Sequence, residues 1–332
     1  MIVNILILIV GFIILIYGAD IFVDGASSLA RNFKLSPMLI GLTIVAFGTS
    51  APEFAVSIQS LISNNGDMIL GNVIGSNILN TFLILGACAL IHSLTVKNNT
   101  VKKELPIALL LTSLFIVLMA DGMFSLGENS FTRQDGIVLL LFFLVFIYYL
   151  ISMMRNKVDA DQDTPIKYNK FKSSLLTILG IVGIIMGSRF VVDGASTIAE
   201  ILGVSQRMIS LTIVALGTSL PELATSIAAT RKGEYDIAIG NVIGSNIFNI
   251  GIVVGLPVAI LGGINNIAFN YVDLGVLFVA SLVLFIFSFN DRKITKPEGI
   301  MMLLLFLTYY HLCLNFHRLY PLISFHLQLI TK

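Results

Sequence analysis

Cysteine is almost missing from this 332-residue chain. Cys88 and Cys313 each lie inside an apolar run, which leaves no disulfide framework and no cysteine metal site and makes both packing residues. Charge is scarce too: Asp, Glu, Lys and Arg make up 12% of the residues and the formal net charge is +1, so nothing favours a nucleic-acid partner. Polar stretches are lacking except for one, RNKVDADQDTPIKYNKFK from Arg155 to Lys172, which holds no folded domain and reads as a linker. No short signal-like segment precedes the first apolar run, so that run is expected to target the chain and stay attached.

What is present is apolar residue in bulk, 56% of the chain. It falls in runs of about 18 to 25 residues, the length a helix needs to cross a bilayer. Ten candidate spans follow, near 3–30, 37–62, 68–92, 104–121, 135–154, 173–201, 206–230, 237–262, 271–289 and 298–315. With ten spans, fifteen basic residues fall in loops on one face, among them Arg31, Lys34, Lys97, Lys102, Lys103, Lys167, Arg231, Lys232 and Lys293. Arg133, Arg207, Arg318 and Lys332 are left for the other. The bias places the linker in the cytoplasm and both termini outside a cell membrane.

The chain repeats itself. Shifted by 169 residues, Gly18 to Gly86 aligns with Gly187 to Gly255 without a gap, and roughly half of the positions are identical. VDGAS recurs at Val23 and Val192, LTIVAFGTSAPE at Leu42 returns as LTIVALGTSLPE at Leu211, and GNVIGSNILN at Gly71 returns as GNVIGSNIFN at Gly240. Five spans per half is an odd number, so the second copy must enter the membrane with opposite polarity. The expected fold is an all-α polytopic membrane protein of ten helices, two inverted five-helix repeats with broken helices at the centre. The halves are 1–155 (core motif region 36–86) and 173–315 (core motif region 205–255), joined by the linker 156–172 and followed by a tail, 316–332, without a counterpart. Inverted repeats with interrupted helices are a recurring plan of secondary transporters, with the substrate near the midplane.

The motifs carry cation chemistry. Pro52 and Pro221 cannot donate the helix hydrogen bond, so the carbonyls near Ala46, Phe47 and Gly48, and near Ala215, Leu216 and Gly217, are candidates to lose their partners. Glu53 and Glu222 lie one residue beyond, where a charge costs on the order of 3 kcal/mol even on forgiving insertion scales. Thr49, Ser50, Thr218 and Ser219 add hydroxyls nearby, and Ser76, Asn77 and Asn80, with Ser245, Asn246 and Asn249, add neutral oxygens on the following span. Such an all-oxygen set suits hard cations, and two carboxylates neutralise one Ca²⁺. A lone membrane proline is more often a kink and a lone serine more often bonds its own helix; the duplicated buried glutamate favours function, because structure alone gives no reason for it. Gly71 with Gly75, and Gly240 with Gly244, have the small-residue spacing that lets helices approach closely, and would bring the third and eighth spans against the broken ones. Asp24 and Asp193 fall at span ends and read as capping or interface residues, Asp20 aligns with Arg189 as a possible pair, and His92, His311, His317 and His326 read as interfacial.

At GTSAPE with GNVIGSN and GTSLPE with GNVIGSN, the sequence resembles the sodium/calcium exchanger family of the cation/calcium exchanger superfamily. The resemblance covers nearly the whole chain. It implies a membrane antiporter, not an enzyme, that exchanges Na⁺ for Ca²⁺ with no cofactor, works as a single subunit, and slides its first and sixth spans against the rest. Glu53 and Glu222 would be the principal ligands, Thr49 and Thr218 would give carbonyl and hydroxyl oxygens, Ala46 and Ala215 carbonyls, and Ser50, Ser219, Ser76 and Ser245 side-chain oxygens. Asn80 and Asn249 would complete the centre. Potassium-dependent relatives carry aspartate at the place of Asn249, so asparagine there argues against K⁺ transport. Proton-coupled relatives carry G-N-x-x-E in place of G-T-S-x-P-E, which makes Ca²⁺/H⁺ exchange the runner-up. A passive channel is the rival class, but no repeated-carbonyl filter is present.

Overall fold

The computed structural model describes every residue except 64, 121–129, 156–165, 205–212, 214, 265–270 and 331–332, and gives the backbone alone at 67, 215, 261 and 314–330. Arg207, Lys157, most of the linker and the lead-in to the second broken span therefore lie outside the described residues, as do the side chains of the 316–332 tail, His317 and His326 among them.

The first helix, α1 (Ile2–Phe33), stops where Lys34 turns left-handed at φ 55° and its N–H returns to Ala30. Ser36 then caps the next helix by accepting the Leu39 N–H, with Pro37 at its first position, where a missing N–H costs nothing. That helix, α2 (Pro37–Thr49), breaks at Ser50 and resumes as α3 (Ala51–Ile62) with a 46° bend. Next come α4 (Met68–Ile91), strand β1 (Leu94–Thr95), α5 (Leu105–Met119) and α6 (Arg133–Arg155). The second half runs α7 (Lys170–Ile201), α8 (Ala215–Thr218), α9 (Leu220–Arg231), α10 (Tyr235–Ile260), α11 (Tyr271–Phe289), β2 (Lys293–Ile294) and α12 (Lys296–Ile330). Serine again marks the break between α8 and α9, with Ser219 at φ −92°, ψ 4° and Pro221 following.

Among the described residues six helices are long and apolar enough to cross a membrane, or seven if α2 and α3 count as one span. Large apolar side chains of α1, α6, α7, α11 and α12 point outward, as lipid requires. The chain is an all-helical membrane protein. Length and apolarity do not by themselves reach the ten expected spans: α5 has 15 residues, and the approach to α8 is outside the described residues.

Burial separates the helices into two groups. In α4 and α10, which are repeat equivalents, 72% and 78% of the most apolar window is buried, against 22% and 33% in α1 and α7. The larger core joins α4, α5, α6, α10, α11 and α12. A smaller cluster, including Leu15, Phe22, Ile184 and Ala229, seats α1 and α7 against α9. Between α1 and α7 runs a seam of glycines: Gly11, Gly18 and Gly25 on α1 and their repeat equivalents Gly180, Gly187 and Gly194 on α7, each set at intervals of seven, line an antiparallel contact in which Gly18 lies against Gly183 and Gly187 against the Gly11 carbonyl. A Cβ at Gly187 would stand 2.4 Å from the Leu15 nitrogen, and one at Gly180 would stand 2.5 Å from the Phe22 Cα. Backbone packs on backbone there.

The twofold relation continues past Gly86, where the sequences stop aligning. Thr112 and Ser281, 169 apart, bond to each other at 3.4 Å. Beyond them the offset is 163: Thr132 and Thr295 each open a helix by engaging a carboxylate three residues on, Asp135 or Glu298, at 2.7 Å. Six residues more therefore separate the equivalent elements in the first half. The β1–β2 pairing of Leu94 with Ile294 has its counterpart in the bridge between Phe131 and Ile264. A half-buried carboxylate at the start of α11 and a buried one just before α5 are each held by a tyrosine, Asp273 by Tyr309 at 3.1 Å and Glu104 by Tyr149.

Ion pairs gather four connections at one end: Arg31–Glu234 at 2.5 Å, Lys97–Asp236 at 2.9 Å, and Asp24 with both Lys167 at 2.7 Å and Lys232 at 2.8 Å. These are basic residues assigned to one face from the loop charges. The Asp24 bond pushes the Lys167 ammonium above its usual range. Asp24 thus has the interface role expected of it, whereas Asp20 lies by Lys232 at 3.7 Å rather than by Arg189.

Candidate cation site

Both broken helices place a carboxylate in the first turn of the resumed segment, where the positive end of the helix dipole favours it. Glu53 and Glu222 are fully buried, and neither enters an ion pair among the described residues. Each accepts a hydrogen bond from a serine of the other half. Ser50 donates to Glu222 Oε1 at 3.0 Å, and Ser219 donates to Glu53 Oε1 at 3.4 Å. Ser245 adds a donor to Glu222 Oε1 at 3.5 Å, and Ser76 meets Ser219 at 3.2 Å.

Among the described residues the second oxygens, Glu53 Oε2 and Glu222 Oε2, have no partner. Nor do Asn80 Oδ1 and Asn249 Oδ1, on residues 1% and 0% exposed. All four are acceptors, paired by the repeat, and each unsatisfied buried acceptor costs about 1–3 kcal/mol. Unpartnered oxygens of this kind are what a hard cation binds. Asn80 and Asn249 each open a π-helical turn, Asn80–Ile84 and Asn249–Val254, a local widening that is frequent at functional sites. Among the described residues no three His, Cys, Asp or Glu side chains converge, so the formal charge of the site is that of the two glutamates.

The remaining expected ligands are placed as follows. Thr49 donates to Asn241 Oδ1 at 3.0 Å and lies 3.5 Å from Ser245 Oγ; Thr218 reaches Asn72 Oδ1 at 3.5 Å. The Ala46 carbonyl is not freed: it accepts the Ser50 N–H at 3.0 Å and lies 3.3 Å from Thr49 Oγ1, because the chain bends after Thr49 and leaves this last bond of α2 intact. Ala215 starts α8, and only its backbone is described. Pro221 deprives the Gly217 carbonyl of its helical donor, and Ser188 on α7 fills the gap at 3.0 Å. The first half has Ala19 in the equivalent position, with no hydroxyl to offer. Replacing Ser188 with alanine is expected to lower stability by about 1–3 kcal/mol, read as an earlier thermal unfolding transition in detergent; an unchanged transition would show that the bond contributes nothing.

Asn72 and Asn241 were not foreseen. Asn241 also donates to Ser226 Oγ at 2.9 Å and to the Glu222 carbonyl at 3.3 Å, tying α10 to the start of α9. The signal was the second letter of the duplicated GNVIGSN. As expected from Gly240 and Gly244, α10 packs closely on α2, with a Cβ at Gly240 3.1 Å from the Gly41 Cα. The neighbours expected for α4 near 207–211 lie outside the described residues.

Two broken helices meeting over a pair of uncompensated carboxylates, in an all-helical membrane protein, make a cation transporter. The chain belongs to the sodium/calcium exchanger protein family, whose sequence profile matches residues 3–152 and 172–314. It is 38% identical to the inner membrane protein YrbG of Escherichia coli, across 85% of this chain and 88% of that protein. It is 30% identical to the sodium/calcium exchanger MaX1 of Methanosarcina acetivorans, across 92% and 97%. Its fold is similar to that of the sodium-calcium exchanger NCX_Mj, with a TM-score of 0.80, 34% identity, and coverage of 94% of this chain and 98% of that one.

Proposed function

We propose that this protein is a secondary antiporter that exchanges Na⁺ for Ca²⁺ by alternating access at one shared central site. The observation that carries the reading is the set of four buried acceptors with no donor among the described residues, two of them on carboxylates, related in pairs by the repeat. Two negative charges match one Ca²⁺, and the same oxygens serve Na⁺ once Ca²⁺ has left, so occupancy by one ion excludes the other. The ligands are Glu53, Glu222, Asn80, Asn249, Thr49, Thr218, Ser50, Ser219, Ser76 and Ser245, with the backbone oxygen of Ala215 and that of Ala46, which would bind an ion only by turning the lone pair now facing Thr49 Oγ1 toward it.

The proposed architecture is ten spans in two inverted repeats, 1–155 and 173–315, with the 156–172 linker in the cytoplasm, both termini outside, and a single subunit as the working unit in the cell membrane. Inverted duplication supports it, because an outward path and an inward path then use equivalent surfaces. The glycine-seamed pair α1 and α7, peripheral to the larger core, is the element placed to move.

Ca²⁺ uptake into proteoliposomes loaded with Na⁺ and diluted into Na⁺-free buffer is expected to require the internal Na⁺ and to proceed equally with and without K⁺, since Asn249 brings no third carboxylate. Uptake that ignores Na⁺ and follows an imposed pH gradient would move the function to Ca²⁺/H⁺ exchange; an absolute K⁺ requirement would overturn the role given to Asn249.

A further inference from the structure

Two asparagines beside the site, Asn77 and Asn246, are repeat equivalents that meet at the centre of the molecule and are 2% and 8% exposed. Their bonds form a chain whose direction a backbone carbonyl fixes at Asn77. The Asn246 backbone carbonyl can only accept, so the Asn77 group 3.2 Å from it is Nδ2, the donor. Asn77 Oδ1 is then the acceptor end, and it takes the Nδ2 of Asn249 at 3.0 Å. One end of the Asn249 amide is thereby used, and its oxygen is the end left without a partner. In the other half, Asn246 Oδ1 accepts from Asn80 Nδ2 at 3.1 Å while its own Nδ2 donates to Thr81 Oγ1 at 3.1 Å, and Asn80 Oδ1 is again the free end.

An amide is nearly symmetric in shape and opposite in polarity at its two ends. Rotated by half a turn, Asn249 or Asn80 would present an N–H dipole to an incoming cation in place of a carbonyl. We propose that Asn77 and Asn246 are positioning residues that lock the amides of Asn249 and Asn80, across the repeat, with their oxygens available to the transported ion. This rests on the antiport reading and adds a determinant outside the ligand set. Each repeat orients a ligand of the other, so neither half presents its asparagine oxygen without its partner.

The test is a double-mutant cycle. Asn77→Leu removes the acceptor that holds Asn249, and is expected to raise the Ca²⁺ concentration for half-maximal uptake about tenfold with the maximal rate kept. In an Asn249→Asp background the same change is expected to add less than twofold, because a carboxylate offers oxygen at both ends and needs no orientation. An unchanged half-maximal concentration in Asn77→Leu overturns the proposal, and so does an equal loss in both backgrounds, which would make Asn77 a packing residue. Asn77→Ala, read by Ca²⁺-dependent thermal stabilisation in detergent, follows the same logic should the leucine variant fail to reconstitute. Wild-type protein that shows no Ca²⁺-dependent stabilisation overturns the antiport reading itself; a wild-type response with an unaffected variant overturns only the positioning role.

Discussion

Replacing either Glu53 or Glu222 by glutamine is expected to reduce Na⁺-driven Ca²⁺ uptake to the background of protein-free vesicles. With one carboxylate left, a bound Ca²⁺ keeps a net charge inside the membrane, which costs about 3 kcal/mol even on forgiving insertion scales. At about 1.4 kcal/mol per tenfold, affinity falls more than a hundredfold. The fold should survive. Glutamine keeps the shape and an acceptor for the hydroxyl of Ser219 or Ser50, and it removes a buried charge that has no counter-charge among the described residues. Thermal unfolding in chelator is therefore expected to occur at or above the wild-type temperature, while stabilisation by Ca²⁺ disappears. Wild-type flux in either variant would remove the glutamates from the site; a variant that unfolds early in chelator would show them to be structural.

Gly187→Leu is expected to abolish transport through geometry rather than chemistry. A Cβ at this position already lies 2.4 Å from the Leu15 nitrogen and 2.7 Å from its Cα, and backbone cannot step aside without parting α1 from α7. Even Gly187→Ala should cost about 1–3 kcal/mol as overpacking and reduce flux at least tenfold. Gly275→Ala, in the second turn of α11 with no described atom within 4 Å of its Cβ, is the control. It should be neutral, or stabilising by up to about 1 kcal/mol from helix propensity. Equal behaviour of the two alanine variants in thermal unfolding and uptake would show that the seam is looser than its geometry.

Much of this molecule is legible in the chain itself. The apolar runs, the breaks at Ser50 and Ser219, and the carboxylates just past Pro52 and Pro221 are local features, and local features leave local signals. Self-identity at 169 residues marks the duplication from Gly18 to Gly86, the stretch that with its copy holds both broken-helix motifs. Past Gly86 the repeat persists in the paired helix starts at Thr132 and Thr295, but lipid-facing positions accept any large apolar residue, and a shift of six residues hides the register. The heptad spacing of Gly11, Gly18 and Gly25 was equally visible; its meaning depended on the antiparallel partner.

Sequence alone determined that this is a duplicated membrane protein with an oxygen-rich site at two broken helices, because hydropathy, proline and buried charge act through neighbouring residues. Only the tertiary structure decided how the halves interlock: that Ser50 serves Glu222 and Ser219 serves Glu53, that Ser188 covers the carbonyl released by Pro221, that Asn77 bonds Asn249, and that Asn246 bonds Asn80. Apart from the Ser188 bond, these contacts join residues more than 160 positions apart. Distance along the chain carries no trace of them, since any serine or asparagine would read the same until the two halves are folded against each other.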